Sequence, residues 1–181
     1  PNGYRGSKNV NGTITNFLWD GDNIAAELDS SYNPTNVLFR GRNLIRDSQG
    51  NNYVYDNHGD VTSIIDSSGT VSSMEYDAFG ANMSITNVST YNPWQYCGEY
   101  RDQESGLIYL RNRYYDSSTG RFINEDPVKD GLNWYAYCGG NPVMFVDSLG
   151  LKGVMSGYIA EKNGGSATAS YAVSYTHLRA H

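Results

Sequence analysis

The chain has 181 residues, 39% of them hydrophobic and 18% charged, with a net charge of −6. An excess of acid argues against a nucleic-acid partner, which needs a basic stripe to displace counterions, and no run approaches the roughly 18 apolar residues of a membrane span. Tyr (16) and Gly (20) are abundant and the aromatic share is 13%, which excludes a disordered chain and favours strands joined by tight turns, an all-β fold.

The chain opens at Pro1 without an initiator Met and ends without an obvious final element, so a piece cut on both sides from a longer protein is expected. Through residues 1–90 a short unit recurs: an aromatic or branched apolar residue, Asp, two variable residues, Gly. Loose copies come first, as FLWDGD (17–22) and LIRDSQG (44–50), followed by YVYDNHG (53–59), SIIDSSG (63–69) and MEYDAFG (74–80). RYYDSSTG (113–120) is one residue longer. Asp47, Asp56, Asp66 and Asp77 are nine to eleven residues apart, with alternating segments such as Val61–Ile65 and Thr70–Tyr76 between them. That spacing predicts a β-meander of hairpins. In each turn the Asp caps backbone amides two residues on, and Gly takes the positive-φ position. Each aromatic before the Asp is expected to stack on its counterpart in the next strand. Asn23–Ser30 (NIAAELDS) has the composition of a short helix.

Residues 91–151 differ in character: Pro93, Pro127 and Pro142 appear, and Trp94 and Trp134 join crowded tyrosines. Residues 152–181 turn to Gly, Ser and Ala, and from about Val173 the tail VSYTHLRAH resembles translated adaptor sequence, to be set aside in fold reasoning. Cys97 and Cys138 are too few for a disulfide framework and lack CxxC spacing, so two small buried hydrophobes are expected. His58, His177 and His181 form no HxxxH pair, and Gly139-Gly140 and Gly164-Gly165 lack the Lys-Ser/Thr of a phosphate loop. Neither a metal nor a cofactor is expected.

Across 91–151 a long pattern runs in order: Tyr-Cys-Gly-Glu-Tyr (96–100), Asp-Gln-Glu-Ser-Gly-Leu (102–107), Leu-Arg-Asn-Arg-Tyr-Tyr-Asp (110–116), Gly-Arg-Phe (120–122), Asp126-Pro127, Asn-Trp-Tyr-Ala-Tyr (133–137), Asn141-Pro142 and Asp-Ser-Leu-Gly-Leu (147–151). With the upstream repeats this resembles the bacterial RHS/YD-repeat family, and 91–151 resembles its RHS repeat-associated core domain. The resemblance implies a β-ribbon wound into a hollow shell, with the core closing its end and a variable C-terminal domain, often a toxin, behind it as cargo. It also implies a secreted, cell-surface or wall-associated bacterial protein. The resemblance further implies that the core, as in several relatives, resembles an aspartic self-protease that cuts after the Gly-Leu of its last motif and frees the cargo. Carried over residue by residue, the catalytic pair is Asp126 and Asp147, the essential arginine is Arg113, and the scissile bond joins Leu151 to Lys152.

Two carboxylates suit this chemistry because one takes a proton from water while the other protonates the leaving amine. A fixed guanidinium can hold one of them ionised while the other stays protonated. The chain departs from the pattern at Ser148, where the family has Pro, and in a shorter segment between Asp126 and Asn133. The structural alternative is that both Asp residues are turn residues and that Arg113 and Arg121 pack on aromatics. On that alternative the protein is a non-catalytic surface or wall-associated binder that contacts carbohydrate or another cell.

Overall fold

The computed structural model describes residues 3–87, 92–129 and 131–155. The first unit is a meander of nine strands: β1 (Ser7–Val10), β2 (Thr13–Asp20), β3 (Asn23–Leu28), β4 (Pro34–Arg40), β5 (Leu44–Asp47), β6 (Asn52–Tyr55), β7 (Val61–Ile65), β8 (Val71–Tyr76) and β9 (Asn82–Thr86). Their order in the sheet is their order in the chain. The expected strands at 61–65 and 70–76 therefore form, the second one residue shorter. A second sheet holds β10 (Tyr100–Arg101), β11 (Ile108–Leu110), β12 (Arg113–Asp116) and β13 (Arg121–Phe122), and β14 (Phe145–Val146) pairs with β15 (Val154–Met155). Two short 3-10 turns, Tyr96–Gly98 and Cys138–Gly140, are the helical elements among the described residues. The fold is all-β, and no helix among the described residues is long and apolar enough to cross a membrane. The 90/91 boundary, residues 156–181 and the tail from about 173 lie outside the described residues.

Asn23–Ser30 is not helical. Asn23–Leu28 is a strand held between β2 and β4, in which both Ile24 and Ala26 are buried. An eight-residue helix is too short to stand on propensity, whereas a strand here gains two partners.

The Asp turns form as the repeat predicts. Oδ1 of Asp47 accepts the amides of Gln49 (3.0 Å) and Asn51 (2.9 Å). Asp66 does the same for Ser68 and Thr70, and Asp77 for Phe79 and Ala81, at 2.8 and 2.9 Å in both. Gly80 closes the last of these turns at φ +84, and a Cβ there would lie 2.4 Å from the Tyr96 ring. Only glycine lets the ring press onto the turn.

The aromatic ladder does not form as expected. The repeat tyrosines reach back across the sheet and donate their hydroxyls to backbone carbonyls: Tyr55 to Leu44 (2.9 Å) and Tyr76 to Val61 (2.9 Å). Tyr115 likewise donates to Phe79 (2.7 Å). A phenol whose ring is buried must satisfy its hydroxyl, and that requirement outranks ring-on-ring contact. The ring pairs instead join the ribbon to the C-terminal strands and turns, as Phe17–Tyr100 (5.5 Å) and Tyr76–Tyr96 (6.1 Å).

One face of the ribbon supplies Phe17, Ile24, Leu38, Leu44, Val61 and Ile64 to a core that Trp94 and Tyr100 cover from the C-terminal side. A second core of Tyr96, Ile108, Leu110, Tyr115, Phe122 and Tyr137 lies within the later strands. Half-buried ion pairs seal the seam: Asp102 meets Arg5, just before β1, and Lys8 of β1. Glu27 accepts the Tyr100 hydroxyl at 2.8 Å. The later strands thus plug one face of the ribbon, and this packing positions the site.

Candidate functional site

The β11–β12 hairpin turns through Arg111 and Asn112, between the paired residues Leu110 and Arg113. Arg111 has φ +58, a conformation that ordinarily calls for glycine. Three partners hold it there: the carbonyl of Asp22 (2.9 Å), the carboxylate of Glu99 and the carbonyl of Ser148 (2.7 Å). The next two residues repeat the grip. Asn112 donates its side-chain amide to Leu149 O at 2.9 Å, and Arg113 donates Nε to Gly150 O at 2.5 Å. Three successive side chains, 111 to 113, therefore hold three successive carbonyls, 148 to 150. Gly150 makes the approach possible. Its φ is +65, and a Cβ there would lie 2.6 Å from Leu110 O and 3.1 Å from Arg113 N.

The three carried-over site residues come together. Arg113, buried, stacks its guanidinium 3.5 Å from the Phe122 ring centroid and donates Nη1 to Trp134 O at 2.9 Å. Its Nη2 lies 3.8 Å from Asp126 Oδ2 and 3.6 Å from Asp147 Oδ2, so both buried carboxylates flank one nitrogen. Asp126 comes from the turn after β13, where its Oδ1 accepts the amide of Val128 (2.8 Å). Asp147 comes directly after β14. Its Oδ1 accepts the amides of Leu151 and Lys152, each at 3.0 Å. The nitrogen of the expected scissile bond thus lies against a carboxyl group.

The electrostatics separate this Asp from the repeat Asp residues. Burial pushes Asp147 above the ordinary carboxylate range, against the downward pull of the Leu151 and Lys152 amides and of Arg113. Asp66, in a repeat turn, is held below its ordinary value by the Ser68 hydroxyl and the turn amides. The shifts are opposite because burial dominates at Asp147 while hydrogen bonds dominate at Asp66. Burial also lowers the Arg113 guanidinium, opposed by Asp126 and then Asp147.

Two groupings escape sequence reasoning. Arg111 and Asn112 as carbonyl holders carry a faint signal, an Arg-Asn-Arg run where a hairpin tip would ordinarily carry glycine. The second grouping has none. His58 and Asp60, in the turn after β6, meet Cys97, in the first 3-10 turn, with one ligand atom from each lying within 4.8 Å of the others. Their sequence separation hides them from any spacing rule.

Residues 55–87 match the RHS Repeat family model. The chain is 40% identical over 165 residues to a protein of Bacillus spizizenii named tRNA3(Ser)-specific nuclease WapA, across 82% of this chain and 7% of that protein. It is 41% identical over 85 residues to the double-stranded DNA deaminase toxin A of Burkholderia cenocepacia, across 44% of this chain and 6% of the toxin. A crystal structure of TcdB2-TccC3-TEV has the same fold at a TM-score of 0.57 and 21% identity, over 83% of this chain and 8% of that one. The chain therefore spans under a tenth of the length of these relatives. Residues 55–87 of this chain therefore carry RHS-repeat sequence.

Proposed function

We propose that the chain is the closing part of a toxin-associated RHS shell, with 1–90 as ribbon, 91–151 as the repeat-associated core and 152 onward as the start of a variable cargo region. On this reading it cuts itself once, between Leu151 and Lys152, and releases a C-terminal toxin outside the producing cell. The observation that carries the reading is the contact of Asp147 Oδ1 with the Lys152 amide at 3.0 Å, beside a guanidinium shared with Asp126. The relatives named as a tRNA nuclease and a DNA deaminase toxin support a toxin as cargo.

In the step proposed, Asp126 takes a proton from water as the oxygen attacks the Leu151 carbonyl carbon. Asp147, whose protonated form burial favours against the pull of the Leu151 and Lys152 amides and of Arg113, gives its proton to the Lys152 nitrogen as the C–N bond breaks. One water is consumed, and a carboxyl on Leu151 and an amine on Lys152 result. Arg113 steadies the charge that the pair shares. The grip on carbonyls 148–150 presents the bond, and because substrate and site are one chain, no entropy is lost in bringing them together. Arg111 reaches the backbone carbonyl of Ser148 at 2.7 Å, an acceptor that Ser and Pro supply alike.

One observation favours the non-catalytic alternative, a surface-binding RHS protein that contacts carbohydrate. Asp126 and Asp147 both accept backbone amides a few residues on, as turn Asp residues do. Mass spectrometry of the 181-residue chain during incubation separates the two readings. Products 1–151 and 152–181, absent in Asp126→Asn, support self-cleavage; an intact chain leaves only the container or binder.

A further inference from the structure

We propose that His58 Nδ1, Asp60 Oδ1 and Cys97 Sγ form a site for one zinc-class divalent ion that staples the ribbon to the plug. His58 Nε2 lies 2.8 Å from Pro142 O, a partner that can only accept. Nε2 must therefore carry a hydrogen, so in the neutral ring Nδ1 presents a bare lone pair. That lone pair faces Asp60 Oδ1 at 3.1 Å and Cys97 Sγ at 3.9 Å. With no metal bound, protonation of Nδ1 makes it a donor to Asp60 Oδ1, and that bond raises the His58 value; the three ligand atoms, from two units of the fold, lie within 4.8 Å of one another, and a divalent ion among them takes the proton's place. A ring nitrogen on the metal with its other N–H on a backbone carbonyl is the outer-shell arrangement that orients histidine ligands.

Zinc bonds of about 2.0–2.3 Å to N, O and S at tetrahedral angles put ligand atoms roughly 3.3–3.7 Å apart; the two separations above lie just outside that range, one on each side, and the three ligand atoms lie within 4.8 Å of one another, so binding needs only a small inward shift of Cys97 Sγ. The backbone contributes too. Cys97 sits at φ +53, a conformation costly for a non-glycine residue, and its amide donates to Asp60 Oδ1 at 2.7 Å. Cys138 occupies a matching Tyr-Cys-Gly turn at φ +48, yet neither a histidine nor a carboxylate joins it in a metal-competent group among the described residues. The two turns therefore share a shape, and one of them also carries ligands. On binding, the Cys97 thiol gives its proton to solvent and the thiolate takes the metal. A water completes the fourth position.

The experiment titrates the reduced 181-residue chain with Co²⁺ and follows the thiolate-to-cobalt charge-transfer band together with the four-coordinate d–d absorption. One equivalent should saturate both, and Zn²⁺ should displace the cobalt and raise the melting temperature. Cys97→Ser should abolish the charge-transfer band, Asp60→Asn should weaken cobalt binding at least about tenfold, and Cys138→Ser should leave the band in place. If Cys97→Ser fails to fold, His58→Gln decides, since it should also lose the four-coordinate spectrum. The proposal is overturned by a wild-type chain without the band, by a band that survives Cys97→Ser or His58→Gln, or by one that Cys138→Ser removes.

Discussion

Replacing Asp147 with Asn separates a catalytic carboxyl from a turn residue, because the two roles use different properties of the same atoms. Asn keeps an oxygen where Oδ1 accepts the Leu151 and Lys152 amides at 3.0 Å, so the turn survives. The substitution also removes a group whose ionisation is penalised by burial. Folding stability should therefore hold or rise near neutral pH. Asp147→Ala, in contrast, strands those amides and should cost about 1–3 kcal/mol for each one that water does not reach. Cleavage behaves differently. An amide can neither give nor take the proton, so Asp147→Asn should slow the cut by about 10²–10⁴-fold. Urea denaturation gives the first quantity, and the mass spectrum of a timed incubation gives the second. Cleavage by Asp147→Asn at the wild-type rate would refute the carboxyl's role, and so would a loss of stability as large as that of the Ala variant.

Arg113→Lys should stop cleavage in the same assay while leaving the ribbon's circular dichroism intact, since an ammonium cannot reach Gly150 O, Trp134 O and both carboxylates together. Gly80→Ala should lower stability by about 2–5 kcal/mol, from left-handed strain plus the clash with the Tyr96 ring, read as a shift in the denaturation midpoint. Tyr115→Phe, which removes a 2.7 Å hydroxyl bond to Phe79 O, should cost about 1 kcal/mol. Glu27→Gln tests the seam by pH. Burial holds Glu27 above its ordinary value despite the Tyr100 hydroxyl and Lys8. A raised folded-state value means that its contribution is whole below the unfolded value of 4.5 and is lost as pH rises through the folded one. Denaturation at pH 4 and pH 7 should show the Gln variant gaining on wild type at pH 7, and an unchanged gap would contradict the burial.

The sequence by itself determined the meander. Asp at 47, 66 and 77, each followed three residues later by glycine, writes the turn, and the alternating residues between write the strand, because both depend on backbone chemistry within a few residues. Through the resemblance it also named Arg113, Asp126 and Asp147, which do gather on one nitrogen. Local composition failed at Asn23–Leu28, where flanking strands overrode helical preference, and at the tyrosine ladder, where buried hydroxyls sought carbonyls. Tertiary structure alone decided the rest: which carbonyls Arg111 and Asn112 hold, why Asp147 titrates upward while Asp66 titrates downward, and that Cys97 faces His58. Burial and cross-chain distance set those properties, and neither exists until the plug closes on the ribbon.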